Sequence, residues 1–166
     1  LDQCPPGALV AAKVPHLKSV VRMGEGKTPG MFNFDQVCAM GGSSESSRMA
    51  AIAATLQPDD AINIQFTSGT TGNPKGATLS HFNILNNGLQ VGAGMRFTKD
   101  DRLCIPVPLY HCFGMVMGNL ACLTPAACAV FPDEGFDPAS VLQAVAEEQC
   151  TALHGVPTMF VAETDL

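Results

Sequence analysis

The chain has 166 residues, which is enough for one domain with a hydrophobic core. Charged residues make up 14% of it and the net charge is −6, which excludes a basic surface for nucleic acid or for an anionic membrane. No apolar run is long enough to span a bilayer. Soluble domains usually carry about 25% charged residues, so the low fraction predicts surfaces that further protein would cover.

Apolar periodicity and turn residues predict alternating strands and helices along most of the chain. Residues 1–16 contain three prolines and are interpreted as loop. The predicted elements follow in this order: a strand at 17–23, helices at 31–40 and 44–56, a strand at 62–66, a helix capped by Ser80, a strand at 102–107, a helix at 113–123, a strand at 126–131, a helix capped by Asp137, a strand at 151–154 and a helix starting at Pro157. From Ala61 onward this alternation predicts an α/β fold with a mainly parallel sheet, flanking helices and right-handed crossovers.

The chain is predicted to have two parts, an N-terminal flanking segment at 1–60 and a core at 61–166. The sequence begins with Leu1 rather than Met, from which we expect a piece of a longer protein. Seven cysteines form no CxxC pair, and their odd number predicts free thiols in a reducing compartment rather than a disulfide framework or a zinc site.

The stretch TSGTTGNPKG, at 67–76, separates the strand at 62–66 from the helix after Ser80. The strand alternates apolar and polar residues, which predicts that it enters a core. Glycines in the stretch allow positive φ and close approach of a ligand, and successive backbone N–H groups form a concavity for anions. The hydroxyls and Lys75 add donors and a positive charge. We interpret the stretch as a phosphate-binding loop, with the N-terminal dipole of the following helix directed at the anion.

Composition alone leaves an ordinary polar turn as the alternative to a phosphate loop. The spacing differs from the P-loop, which needs four residues between its first Gly and Gly-Lys-Ser/Thr, and no GxGxxG occurs. A domain like the α/β hydrolases is a further alternative, but the sequence has no GxSxG nucleophile elbow.

The helix after Ser80 is expected to be amphipathic, with Phe82, Leu85 and Leu89 on its apolar face. Gly88 and Gly92 lower its intrinsic helix propensity. We therefore expect packing, rather than propensity, to hold this helix.

The string TSGTTGNPKG closely resembles the signature of the adenylate-forming family, which includes acyl-CoA synthetases, luciferases and peptide-synthetase adenylation domains. Two further segments are similar to family motifs: PLYHCFG at 108–114, beside the acyl pocket, and HGVPTMF at 154–160, a strand-to-helix passage. The flanking sequence is most similar to acyl-CoA synthetases of the mitochondrial medium-chain type. The resemblance covers about residues 17–166, an incomplete piece of the family's N-terminal domain, and the family's small C-terminal domain is absent.

The resemblance implies which residues form the site. The nucleotide-binding set is Thr67, Ser68, Gly69, Thr70, Thr71, Gly72, Asn73, Pro74 and Lys75. Lys75 and His111 are the catalytic candidates, because Lys75 would neutralise the leaving pyrophosphate and His111 would hydrogen-bond the substrate carboxylate. Phe113, Gly114 and Gly155 are predicted to line the substrate side with His111, and no metal ligands are predicted.

Two alternatives for this segment stay open at this point. Phe113 is equally well explained as a core residue. Cys112 and His111 could form a Cys/His nucleophile pair, although the sequence offers no Asn or Asp partner for them.

The resemblance implies an enzyme that joins a fatty-acid carboxylate to ATP, giving acyl-adenylate and pyrophosphate, before the CoA thiol attacks. ATP, Mg²⁺ and CoA are the implied cofactors and co-substrates, a fatty acid is the partner, and the mitochondrial matrix is the implied location. The resemblance also allows a homo-oligomer of the parent enzyme. We expect the isolated chain to be inactive, and the alternative function is a truncated, non-catalytic nucleotide-binding module.

Overall fold

The computed structural model describes residues 3–69 and 72–166. The chain divides into two compact units, one that ends at Leu56 and one that runs from Gln57 to Leu166. Within the described ranges, no helix combines the length and the apolar character needed to cross a membrane.

The first unit has two short strands followed by two helices. They are β1 (Val21–Arg22), β2 (Phe32–Asn33), α1 (Phe34–Met40) and α2 (Ser43–Ala53). β1 and β2 pair in parallel. A capping box starts α1, in which the backbone N–H of Asn33 donates to the Gln36 side chain at 2.9 Å. Leu9 is buried in this unit, whereas α1 and α2 bury none of their own residues.

The second unit contains a strand hairpin, a parallel sheet and the helices that connect its strands. Its elements are β3 (Ala61–Phe66), β4 (Gly76–Ser80), α3 (His81–Gly94), β5 (Arg102–Cys104), a π-helix (Phe113–Leu120), α4 (Ala121–Leu123), β6 (Cys128–Val130), α5 (Pro138–Glu147), β7 (Ala152–Leu153) and α6 (Pro157–Thr164).

The parallel sheet has the strand order β6–β5–β7. Leu103 of the central strand pairs with Ala129 on one side and Ala152 on the other, both in parallel. The chain passes from β5 to β6 through the π-helix and α4, and from β6 to β7 through α5. These helical crossovers confirm the predicted α/β fold with a parallel sheet and flanking helices.

The core of the second unit lies on the central strand and the segment that follows it. Leu103, Ile105, Val107 and Cys122 form one buried cluster. Phe113 is partly buried and packs against this cluster, so a core contact for Phe113 is present in the structure. The cluster places the segment after β5, which contains His111, at the carboxyl edge of the sheet.

The prediction that the loop at 67–76 leads from a strand into a helix is wrong. β3 and β4 form an antiparallel hairpin, in which Phe66 pairs with Gly76 and Ala61 pairs with Ser80. The loop therefore joins two strands, and α3 begins only after β4. Its cap, Ser80, lies about 13 Å along β4 from Gly76, and a helix dipole acts only over about its first turn. The expected dipole contribution to the loop is therefore also wrong.

The expectation that the first strand of the hairpin enters a core is wrong as well. Ile64 and Phe66 share one face of β3 and are 62% and 66% exposed, and Ile62, at a shift in the register of the hairpin, is 47% exposed. On this face Gly76 lies against Ile64 and Phe66, since a Cβ at Gly76 would come within 3.1 Å of the Ile64 side chain. An alternating pattern puts apolar residues on one face of a strand, but it does not specify what covers that face.

α3 buries a different face from the predicted one. Phe82, Leu85 and Leu89 are each at least half exposed, whereas Gly88 and Gly92 are buried. A Cβ at Gly88 would lie 2.7 Å from the Leu120 Cβ, and one at Gly92 would lie 2.7 Å from a backbone oxygen of α4. The two glycines let α3 approach the π-helix and α4 closely, so packing holds this helix despite its poor propensity.

The close approach makes Gly88→Ala a sharp test of this packing. Because the new methyl group would overlap Leu120, we expect the substitution to lower the free energy of unfolding by about 1–3 kcal/mol. Gly94→Ala is the matched control on the same helix, since its Cβ would meet no described atom within 4 Å. Urea unfolding followed by circular dichroism measures both. Equal stability of the two variants would contradict the close contact between α3 and the π-helix.

Candidate functional site

The loop after β3 is closed by two hydrogen bonds at its base. The backbone N–H of Thr67 donates to the Lys75 carbonyl at 3.0 Å, and the backbone N–H of Lys75 donates to the Thr67 hydroxyl oxygen at 3.2 Å. Gly69 has a φ of +62°, and a Cβ there would lie 2.6 Å from the Gly72 carbonyl oxygen. Only glycine fits at this position, because the backbone of the loop itself fills the space that a side chain would need.

The polar groups of the loop face solvent. Thr67, Ser68, Asn73 and Pro74 are exposed, and so is Lys75. The Thr67 oxygen accepts the Lys75 N–H, which leaves its own O–H free to donate. Within residues 3–69 and 72–166, no carboxylate pairs with the Lys75 ammonium. Two further members of the predicted nucleotide-binding set, Thr70 and Thr71, lie outside the described residues.

His111 lies at the carboxyl edge of the parallel sheet, exposed, with its ring orientation fixed by a backbone contact. The N–H of Phe113 donates to His111 Nδ1 at 3.1 Å. Because Nδ1 accepts this bond, the neutral ring carries its proton on Nε2. His111 can therefore offer an N–H to a carboxylate.

The contact between His111 and Cys112 does not favour a nucleophile pair. The Cys112 Sγ lies 3.7 Å from His111 Nδ1, the nitrogen that already accepts the Phe113 N–H. In the part of the chain that the structure describes, no Asp or Asn side chain bonds the ring of His111. Both the proton acceptor and the orienting group of a Cys/His pair are therefore missing there.

The structure brings Phe113 to the end of β7. The rings of Phe113 and His154 lie 5.0 Å apart, centroid to centroid, at an angle of 53°. Two glycines of the predicted substrate set instead pack against the protein itself. A Cβ at Gly114 would lie 2.4 Å from the Pro108 carbonyl oxygen, and one at Gly155 would lie 2.9 Å from the Phe160 ring. Close packing accounts for glycine at both positions, and their contact with substrate stays a prediction.

A largely apolar cavity of about 490 Å³ lies between α3 and the π-helix. Its lining residues come from the end of β4, from α3 and from the segment after His111: Leu79, Asn83, Ile84, Asn87, Cys112, Val116 and Met117. The volume is within the range of small-molecule sites, which are mostly apolar with a few polar groups. Leu79 lies about 10 Å along β4 from Gly76, where the loop ends.

The sequence did not identify the contribution of α3 to this cavity. Ile84 and Asn87 lie beside the buried glycine face, and the spacing of Gly88 and Gly92 by four residues was the available indication of it. Two small residues one turn apart mark a helix face that another backbone approaches closely. If the spacing of the two glycines had been given more weight than the apolar spacing of Phe82, Leu85 and Leu89, it would have predicted the face that α3 buries.

Together these features define a class of protein: an α/β domain with a tight loop that carries glycine, hydroxyl and lysine residues, and an apolar cavity near the carboxyl edge of its parallel sheet.

Comparison with known proteins assigns the family. The model of the family described as AMP-binding enzyme matches residues 6–165. The chain therefore belongs to the AMP-binding enzyme family, which confirms the resemblance drawn from its motifs.

Two similar proteins are named as ligases. Acyl-CoA ligase SID4 of Ajellomyces capsulatus is 46% identical over 153 residues, which are 92% of this chain and 26% of that protein. The mitochondrial medium-chain acyl-CoA ligase ACSF2 of Danio rerio is 40% identical over 163 residues, which are 97% of this chain and 27% of that protein. The chain thus spans just over a quarter of the length of each.

The fold also matches a solved structure. The crystal structure of ATP-bound MatB from Rhodopseudomonas palustris superposes with a TM-score of 0.61 and 30% identity, over 75% of this chain and 30% of that one. The architecture of the chain is therefore that of a solved member of the same class.

The cysteine thiols differ in their accessibility. Burial raises the pKa of Cys104 and of Cys122 from the usual 9.0 to about 11. Because the folded state favours the neutral thiol, this contribution to stability is complete below about pH 9 and is lost as the pH rises toward 11. Cys38 and Cys112 are exposed.

We expect iodoacetamide at about pH 8 to modify Cys38 and Cys112 and to spare Cys104 and Cys122, because the reagent needs an accessible thiolate. Peptide mass spectrometry of the alkylated chain measures this, and the same reaction in urea should label all four. Rapid labelling of Cys104 in the folded chain would contradict its burial.

Proposed function

We propose that this chain supplies the phosphate loop and part of the acyl-binding wall of an AMP-forming acyl-CoA ligase. The observation that supports the proposal most is the presence, in one compact unit, of a closed hydroxyl- and lysine-bearing loop and an apolar cavity lined by Cys112, the residue that follows His111. Both named relatives are acyl-CoA ligases, and the solved structure above holds ATP. The mitochondrial relative supports a location in the mitochondrial matrix.

The loop fits the phosphates of ATP. Gly69 leaves no side chain where the backbone turns most tightly, and the hydroxyls of Thr67 and Ser68 are exposed donors. Lys75 adds a positive charge that no described carboxylate neutralises. In this proposal Mg²⁺ binds through the phosphates of ATP, as is usual in nucleotide enzymes.

The proposed reaction uses these groups in sequence. A carboxylate oxygen bonds to the α-phosphorus of ATP, the bond to pyrophosphate breaks, and acyl-adenylate forms. Lys75 stabilises the negative charge that develops on the leaving pyrophosphate. His111 orients the carboxylate through its Nε2–H. The CoA thiol then attacks the acyl carbon, and AMP leaves.

The cavity is proposed to hold the acyl chain. Ile84, Val116 and Met117 give it an apolar wall, which favours burial of methylene groups. Cys112 lies next to His111 and lines the same cavity, so a carboxylate near His111 would have its chain directed toward this wall. A fatty acid is therefore the proposed substrate, rather than a small polar acid.

The ATP role can be tested on the chain itself. We expect MgATP to bind in a calorimetric titration and Lys75→Ala to weaken the binding by about ten- to a hundredfold, because a hydrogen bond to a charged group is worth roughly 1.5–3 kcal/mol. Gly69→Ala should weaken it as well, since the new Cβ would collide with the Gly72 carbonyl.

Gly94→Ala is the matched control, because Gly94 lies on α3 outside the loop and a Cβ there would meet no described atom within 4 Å. It should bind MgATP nearly as well as the wild-type chain. If Gly69→Ala and Lys75→Ala bind MgATP as tightly as this control, the loop does not hold phosphate.

The acyl role has a separate readout in Cys112. We expect octanoate to slow the alkylation of Cys112, which lines the cavity, and to leave the rate at Cys38 in the other unit unchanged. Quantitative mass spectrometry gives the two rates in one sample. Equal rates at Cys112 with and without octanoate would rule out this cavity as the acyl site, whatever the outcome with ATP.

A further inference from the structure

The wall of the cavity is an unusual helix. Residues Phe113–Leu120 are π-helical, and the N–H of Ala121 at its end reaches the carbonyl of Val116, five residues back, as well as that of Gly118. π-helical turns are rare in proteins and are often found at functional sites. The contacts around residues 113–120 must therefore favour this conformation over an α-helix.

One side chain from the parallel sheet reaches into this helix. His154 follows β7, and its backbone N–H donates to the Cys104 carbonyl at 3.0 Å, which extends the pairing of β7 with the central strand. Its Nε2 lies 3.0 Å from the carbonyl oxygen of Met117. A carbonyl can only accept, so Nε2 carries the proton and donates it.

The burial of His154 strengthens its hydrogen bond to Met117. His154 is only 8% exposed, so little water competes for the Met117 carbonyl. The ring also contacts Phe113, the first residue of the π-helix. His154 thus contacts the start of the π-helix through its ring face and the middle through its N–H.

The two glycines of the π-helix allow it to approach the sheet closely, but they do not determine which of its carbonyl groups faces the sheet. Gly114 packs on the Pro108 carbonyl, where a Cβ would collide, and Gly118 packs on the Ile105 side chain, where a Cβ would be tight. These contacts bring the helix close to the sheet, yet they are not directional. The bond from His154 to Met117 supplies a direction, because it requires the carbonyl of one particular residue to face β7.

We propose that His154 is a positioning residue that holds residues 113–120 in the π-helical conformation and thereby sets the acyl wall formed by Val116 and Met117. The inference rests on the proposed function in one respect only, that the cavity takes an acyl chain. A shift of one residue in helical register rotates the following side chains by about 100°. Loss of the π-helical turn would therefore turn Val116 and Met117 away from their present positions in the wall.

The first measurement is on the wild-type chain by NMR. We expect His154 to be protonated on Nε2, and we expect a coupling across the hydrogen bond between the Ala121 nitrogen and the Val116 carbonyl carbon. A wild-type His154 with its proton only on Nδ1 overturns the proposal, because the bond to Met117 would then not exist.

The second measurement uses two reciprocal variants. His154→Phe keeps an aromatic ring beside Phe113 but removes the donor, whereas His154→Gln keeps a donor and removes the ring. We expect His154→Phe to lose the coupling from Ala121 to Val116 and to weaken octanoate binding about fivefold, with partial recovery of both in His154→Gln. His16→Phe, at an exposed histidine in the other unit, is the matched control and should change neither.

The outcomes separate this inference from the proposed function. If His154→Phe keeps both the coupling and the affinity for octanoate, His154 does not position the wall. If the wild-type chain binds no octanoate, the acyl site is wrong, and the coupling alone decides the positioning role. If His154→Phe does not fold, His154→Gln decides: a lost coupling despite its donor contradicts the proposal, and a retained one supports it.

Discussion

The close contact between α3 and the segment from the π-helix to α4 is the constraint on which the second unit depends. Gly88 and Gly92 present bare backbone to Leu120 and Ala121, so the two helical segments approach to a distance that no larger residue would allow. The contact joins the β3–β4 hairpin, which leads into α3, to the parallel sheet, which the π-helix connects. It also forms the cavity, whose walls are the two partners of this contact.

The site combines a local part and an assembled part. The loop is local: its base is closed by hydrogen bonds between Thr67 and Lys75, and its tightest point is a glycine. The cavity is assembled from β4, α3 and the segment after β5, which are distant in sequence. A ligase of the proposed kind needs both, because the loop handles the charge of the phosphates and the cavity takes up the apolar chain.

Apolar side chains are exposed on two elements of the second unit, α3 and β3. Phe82, Leu85 and Leu89 line the outer face of α3, and Ile64 and Phe66 line a face of β3, all of them at least half exposed. The low charge fraction indicated such surfaces from composition alone. In the ligases named above, nearly three quarters of the length lies outside the matched region.

The sequence by itself determined the features that depend only on residues close together in the chain, such as the helix caps. Ser80 and Asp137 cap their helices as predicted, with the Asp137 side chain accepting the Ser140 N–H at 2.8 Å, because a cap needs only four consecutive positions. Only the tertiary structure decided that β4 pairs back onto β3, that α3 buries its glycines rather than Phe82, and that residues 113–120 form a π-helix. Each of these depends on a partner outside the element itself, and an apolar pattern specifies a face without specifying what packs against it. The bond from His154 to Met117, between residues 37 positions apart, is of the same kind.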